Sequence, residues 1–93
     1  MESLGQPEIA RISNALVHAV HRAASLVDAE DYGGELRGLI RHARELHQIL
    51  LREQKRSTVS WVVDELRTVC DEMGASLNQF ESLIAEWRPA IAE

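Results

Sequence analysis

Apolar residues recur at steps of three and four along nearly the whole chain, and this period fits an α-helix with one buried face. Ile9, Ile12, Leu16, Val20, Ala23 and Val27 form a first stripe, while Arg11, Asn14, His18, Arg22 and Ser25 point the other way. Leu36, Leu39, Ile40, Ala43, Leu46, His47 and Leu50 form a second, opposed by Arg37, Arg41, Arg44, Gln48, Arg52 and Lys55. Val59, Val62, Leu66, Val69, Cys70 and Met73 form a third, and Leu77, Phe80, Ile84, Trp87 and Ile91 a fourth, spaced as in a bundle seam. No alternating strand pattern and no internal repeat occurs. The sequence therefore predicts an all-α fold: a small antiparallel bundle of about four helices, at about 7–29, 35–55, 58–73 and 77–88.

Local signals set these boundaries. Pro7 suits an early helical position, where its missing N–H costs nothing, and Glu8 favours the positive end of the helix dipole. Asp31-Tyr32-Gly33-Gly34 ends the first helix, because consecutive glycines adopt positive φ cheaply and weaken any helix running through them. No Gly or Pro separates the second stripe from the third, so a single long kinked helix over 35–73 is the alternative there. However, the apolar centres of 36–50 and 59–73 differ by roughly 130° at ~100° per residue. A break is therefore placed near 55–58, with Ser57 and Thr58 available as caps. Gly74 reads as a C-cap, and Ser76-Leu77-Asn78-Gln79 as the capping box of the fourth helix. Pro89 is expected to end that helix.

With 93 residues, 45% of them hydrophobic and 27% charged, the chain makes one small folded domain. Its longest apolar runs, such as Trp61-Val62-Val63 and Ile49-Leu50-Leu51, are far too short for a transmembrane helix, so no membrane partner is expected. Met1-Glu2-Ser3-Leu4 lacks a signal peptide's charged and apolar regions, and a cytoplasmic location is expected. The lone Cys70 cannot form an internal disulfide. A net charge of −5 speaks against nucleic acid, which demands clustered cations. The charge is nevertheless uneven. Residues 35–56 carry six bases against Glu35, Glu45 and Glu53, whereas 57–93 carry seven acids against Arg67 and Arg88. DNA or RNA binding through the Arg-rich second helix is accordingly the weaker alternative.

Motifs for catalysis are missing: no phosphate loop, nucleophile elbow, H-E-x-x-H or paired carboxylates occurs. Cys70 lies on an apolar stripe, where a thiol acts as a small hydrophobe. His18 and His21, three apart, lie on a polar face without a carboxylate at the spacing used by metal-binding bundles. His42 with Glu45 reverses that motif. No metal or other cofactor is expected. A histidine-based metal-binding or phosphotransfer bundle is kept as the alternative function, although His18, His21 and His42 lack a phosphoacceptor's surrounding motif.

His47 differs, falling within an apolar stripe. It is read as a buried polar or pH-sensitive residue that must find a hydrogen-bond partner. Trp61 lies roughly 130° from the apolar centre of its own helix, beside Asp64 and Glu65, so it covers either the second helix or a partner. Arg37, Arg41 and Arg44 form the basic face suited to an acidic protein surface. Together these residues predict a non-enzymatic cytoplasmic regulator or adaptor acting through protein–protein binding, of the small inhibitor or anti-activator kind, as a homodimer.

Overall fold

A computed structural model describes residues 5–87, Gln6 by its backbone alone, and shows three helices: α1 (Gln6–Asp28), α2 (Gly34–Arg56) and α3 (Ser60–Glu86). The described residues contain no strand. The helices run up, down and up in an elongated body of 53 × 22 × 18 Å. Arg22 of α1 pairs with Glu35 of α2 at 2.8 Å, and His47 of α2 meets Cys70 of α3. The first contact lies near the α1–α2 turn, and the second joins residues almost equally far from the α2–α3 turn, as antiparallel neighbours require. α1 and α3 therefore run in the same direction, and they touch each other least. No helix among the described residues is long and apolar enough to cross a membrane.

The stripes meet along the axis. Leu16 of α1, Leu36 and Leu50 of α2, and Leu66 and Leu77 of α3 are the fully buried large side chains. Burying each contributes about 2–3 kcal/mol. Ala19 and Ala23 on α1 and Ala43 on α2 are also buried, and their small size suits close helix approach. Ile9, Ile12 and Val27 extend the α1 stripe at partial burial.

The end of α1 differs from the glycine-based expectation. Neither Gly33 nor Gly34 has positive φ; Glu30 does, at 58°. The Glu30 N–H donates to the Val27 carbonyl at 3.0 Å and the Asp31 N–H to the Leu26 carbonyl at 2.8 Å. These two bonds make a Schellman cap with glutamate in the position that glycine usually takes. Gly33 instead precedes α2 in extended geometry as its N-cap.

The predicted break between the second and third stripes exists, at 57–59. Its capping differs in detail: Val59 is the N-cap of α3 and has no polar side chain to supply a cap, while the Ser57 hydroxyl accepts from the Val59 N–H at 3.2 Å. The predicted break at 74–76 does not exist. Helix α3 runs unbroken through Gly74 and the Ser76–Gln79 segment, which corrects four helices to three. Leu66, Cys70, Met73, Leu77, Phe80 and Ile84 follow one another at alternating steps of four and three. One uninterrupted helix thus buries both halves against the same neighbours, outweighing the roughly 1 kcal/mol cost of an interior glycine.

Trp87 lies just past the end of α3 and packs edge-on against Tyr32, with ring centroids 5.5 Å apart. Pro89 and Ile91, expected to close the last helix and its seam, lie outside the described residues.

Candidate functional site

The first halves of α1 and α3 line an open groove of about 640 Å³. Ile9 and Ala10 come from α1, and Trp61, Val62, Leu66 and Val69 from α3. Ser13 and Asn14 on α1, with Asp64, Glu65 and Thr68 on α3, supply its polar groups. Helix periodicity explains this composition. Val62, Leu66 and Val69 lie on the inward side of α3, whereas Trp61, Asp64, Glu65 and Thr68 lie on the flank facing outward. Trp61 is 52% exposed and lines the groove between α1 and α3.

The three arginines of the basic face do not act alike. Arg37 and Arg41 are exposed and make no ion pair among the described residues. Arg44 is partly buried and held from α2 to α3: it pairs with the Glu81 carboxylate and donates to Asn78 Oδ1 at 2.7 Å. Its charge thus serves the α2–α3 contact. His18, His21 and His42 are exposed, and no cluster of three or more His, Cys, Asp or Glu side chains among the described residues is arranged to hold a metal ion.

His47 is 8% exposed and lies against α3. Its Nε2 is 2.9 Å from the Cys70 carbonyl oxygen. A carbonyl only accepts, so Nε2 carries the proton in the neutral ring, leaving Nδ1 as the acceptor. Nδ1 is buried and has no hydrogen-bond partner among the described residues. The imidazole thus satisfies one polar end and leaves the other desolvated, at a cost of about 1–3 kcal/mol.

Cys70 is a buried free thiol. Burial chiefly, and the Asp71 carboxylate beside it, push its pKa up to about 11. The thiolate needed for nucleophilic or redox chemistry is therefore disfavoured at neutral pH.

Glu53 was counted from the sequence only as a charge, yet it is 3% exposed. It lies three residues beyond Leu50, a spacing that continues the buried stripe of α2, so periodicity alone signalled its burial. The α1 wall of the groove had no such signal. Ser13 and Asn14 become site residues only through the parallel placement of α1 and α3.

Comparison with protein-family models, curated proteins and solved structures finds no match to the chain.

Proposed function

We propose that the chain is a non-enzymatic regulator or adaptor that works by binding another protein, in the manner of a small inhibitor or anti-activator, through the α1–α3 groove. The observation that carries this reading is Trp61, half exposed at an apolar groove that the described side chains leave open. A large aromatic beside a concave apolar surface anchors binding at little entropic cost, and tryptophan is enriched among the residues that dominate interface energetics. The high pKa of Cys70 and the scattered exposed histidines offer no competing chemical centre. A homodimer is the form of this reading in which the partner is a second copy.

A second surface is favoured by a separate observation: Arg37 and Arg41 are exposed and without an ion pair among the described residues, as a docking face for acidic protein would be. Affinity capture with three forms of the chain separates the surfaces. A partner of the groove is lost from Trp61→Ala and retained by Arg37→Glu/Arg41→Glu; a partner of the basic face shows the reverse. Equal capture by all three forms contradicts both surfaces.

A further inference from the structure

We propose that the α1–α3 groove takes one face of a basic amphipathic helix supplied by a different protein. This rests on the reading of the groove as a protein-binding site and adds the chemistry of its occupant. Three kinds of occupant suit an apolar groove of about 640 Å³: a small apolar molecule with an anionic head, a second copy of the chain, or a helix of another protein. The charges around the groove separate them. Asp64 and Glu65 line it, together with neutral Ser13, Asn14 and Thr68, and no Lys, Arg or His lines it among the described residues. Arg67 approaches Asp64 at 3.9 Å with both side chains largely in solvent, while Glu65 makes no ion pair among the described residues, so the edge stays net negative.

A fatty carboxylate entering this groove meets two lining carboxylates and no lining cation among the described residues. A second copy docked about a twofold axis through this groove gathers four carboxylates, Asp64 and Glu65 of each copy, at one interface that has no lining Lys, Arg or His among the described residues. A helix with apolar anchors and flanking Lys or Arg meets both demands: its anchors cover Trp61, Val62, Leu66 and Val69, and its cations face Asp64 and Glu65. From Trp61 to Val69 the wall of α3 rises about 12 Å, room for about two helical turns and so for anchors at i, i+4 and i+7.

The test uses the full chain and three synthetic peptides of about 18 residues. One carries Leu along one helical face with Lys flanking it, one has the same Leu face with Glu in place of Lys, and one scrambles the Lys peptide. Binding is read from tryptophan emission and from amide chemical shifts. The expected result is saturable binding of the Lys peptide with shifts concentrated at the groove, at least about tenfold weaker binding of the Glu peptide, and no binding of the scramble. Asp64→Lys/Glu65→Lys should reverse the order of the Lys and Glu peptides, and Trp61→Ala should weaken the Lys peptide by about tenfold with the helical circular dichroism unchanged.

Equal affinity for the Lys and Glu peptides, or an order unchanged by the charge reversal, overturns the basic occupant while leaving the groove a helix-docking site. Equal binding of the scramble shows attraction to bulk negative charge and overturns the proposal. Failure of every peptide, with the groove resonances silent, overturns both the proposal and the reading beneath it. A dimer mass by light scattering that Trp61→Ala converts to monomer assigns the groove to a second copy instead.

Discussion

The imidazole of His47 occupies the space that a side chain on residue 74 would need: a Cβ built on Gly74 would lie 3.0 Å from Nε2 and 3.3 Å from Cε1. The same Nε2 is anchored to the Cys70 carbonyl, one helical turn earlier, at 2.9 Å. No glycine among the described residues has positive φ, so Gly74 is not there to relieve the backbone. It is a notch in α3 into which α2 inserts an aromatic ring.

This notch makes the two residues energetically coupled. In a free helix, alanine is better than glycine by about 1 kcal/mol. Here Gly74→Ala should instead destabilise by about 1–2 kcal/mol, because the ring can retreat only by giving up its bond to Cys70. His47→Ala alone should cost about 1–3 kcal/mol, whereas His18→Ala and His21→Ala on the exposed face should each stay within about 0.5 kcal/mol. With His47 already alanine, adding Gly74→Ala should become stabilising by about 0.5–1 kcal/mol. Denaturant melts of the double-mutant cycle decide this, and additive effects would contradict it.

Gly38 provides the contrast. It lies in the interior of α2, with no atom within 4 Å of a built Cβ. Gly38→Ala should therefore show the ordinary propensity gain of about 0.5–1 kcal/mol. A loss at this site in the same melts would show that the exposed face of α2 is more crowded than the structure has it.

Glu30 offers a stabilising change of a different kind. Its φ of 58° is a conformation that glycine adopts freely and a β-carbon resists. Glu30→Gly should raise stability by about 0.5–1 kcal/mol and leave the Leu26–Asp31 bond of the cap in place. An unchanged or lower midpoint would mean that the greater freedom of glycine in the unfolded chain offsets the relief.

Much of this architecture was legible in the spacing of apolar residues, and the errors share one origin. The roughly 130° change of phase between Leu36–Leu50 and Val59–Met73 correctly separates α2 from α3. At Gly74, by contrast, the local capping pattern points to a break and the phase of the apolar stripe does not. Leu66, Cys70, Met73 and Leu77 keep the same stripe across that glycine, and the buried face, not the glycine, decides where the helix runs. Glu30 shows the same limit from the other side, since two nearby glycines were natural sites for positive φ and a glutamate took it. Exposure of Trp61 follows from its angular position, but the groove beside it does not, because Ile9 and Asn14 meet Leu66 and Val69 only through tertiary packing. Among the arginines, periodicity placed Arg37, Arg41 and Arg44 on one face, yet only the packed helices show Arg44 reaching Glu81 and Asn78.

The basic face should accordingly divide when tested for stability. Arg44→Ala removes a pair bridging two helices and a hydrogen bond to Asn78, and should cost about 1 kcal/mol; Arg37→Ala and Arg41→Ala should each cost less than about 0.5 kcal/mol. Coupling between Arg44→Ala and Glu81→Ala in a double-mutant cycle should be on the order of 0.5 kcal/mol. Equal losses at all three arginines would contradict the division, and absence of coupling would assign the loss at Arg44 to packing of its aliphatic stem.

Cys70 carries the pH dependence. Its thiol is raised from the ordinary 9.0 to about 11, mainly by burial and secondarily by Asp71. As pH rises through that interval the unfolded chain gives up the thiol proton before the folded chain does. The contribution is therefore fully present below about pH 9 and is lost progressively up to about pH 11. Urea melts across that range should show a steeper decline for the wild type than for Cys70→Ala, in which the other groups titrating at high pH are unchanged. A thiol reagent near pH 8 should label the native protein at least about a hundredfold more slowly than the urea-unfolded chain, since both access and thiolate are lacking. Parallel pH profiles for wild type and Cys70→Ala, or native labelling as fast as unfolded labelling, would show that the thiol is open to solvent and that the α2–α3 seam around His47 and Gly74 is looser than the structure has it.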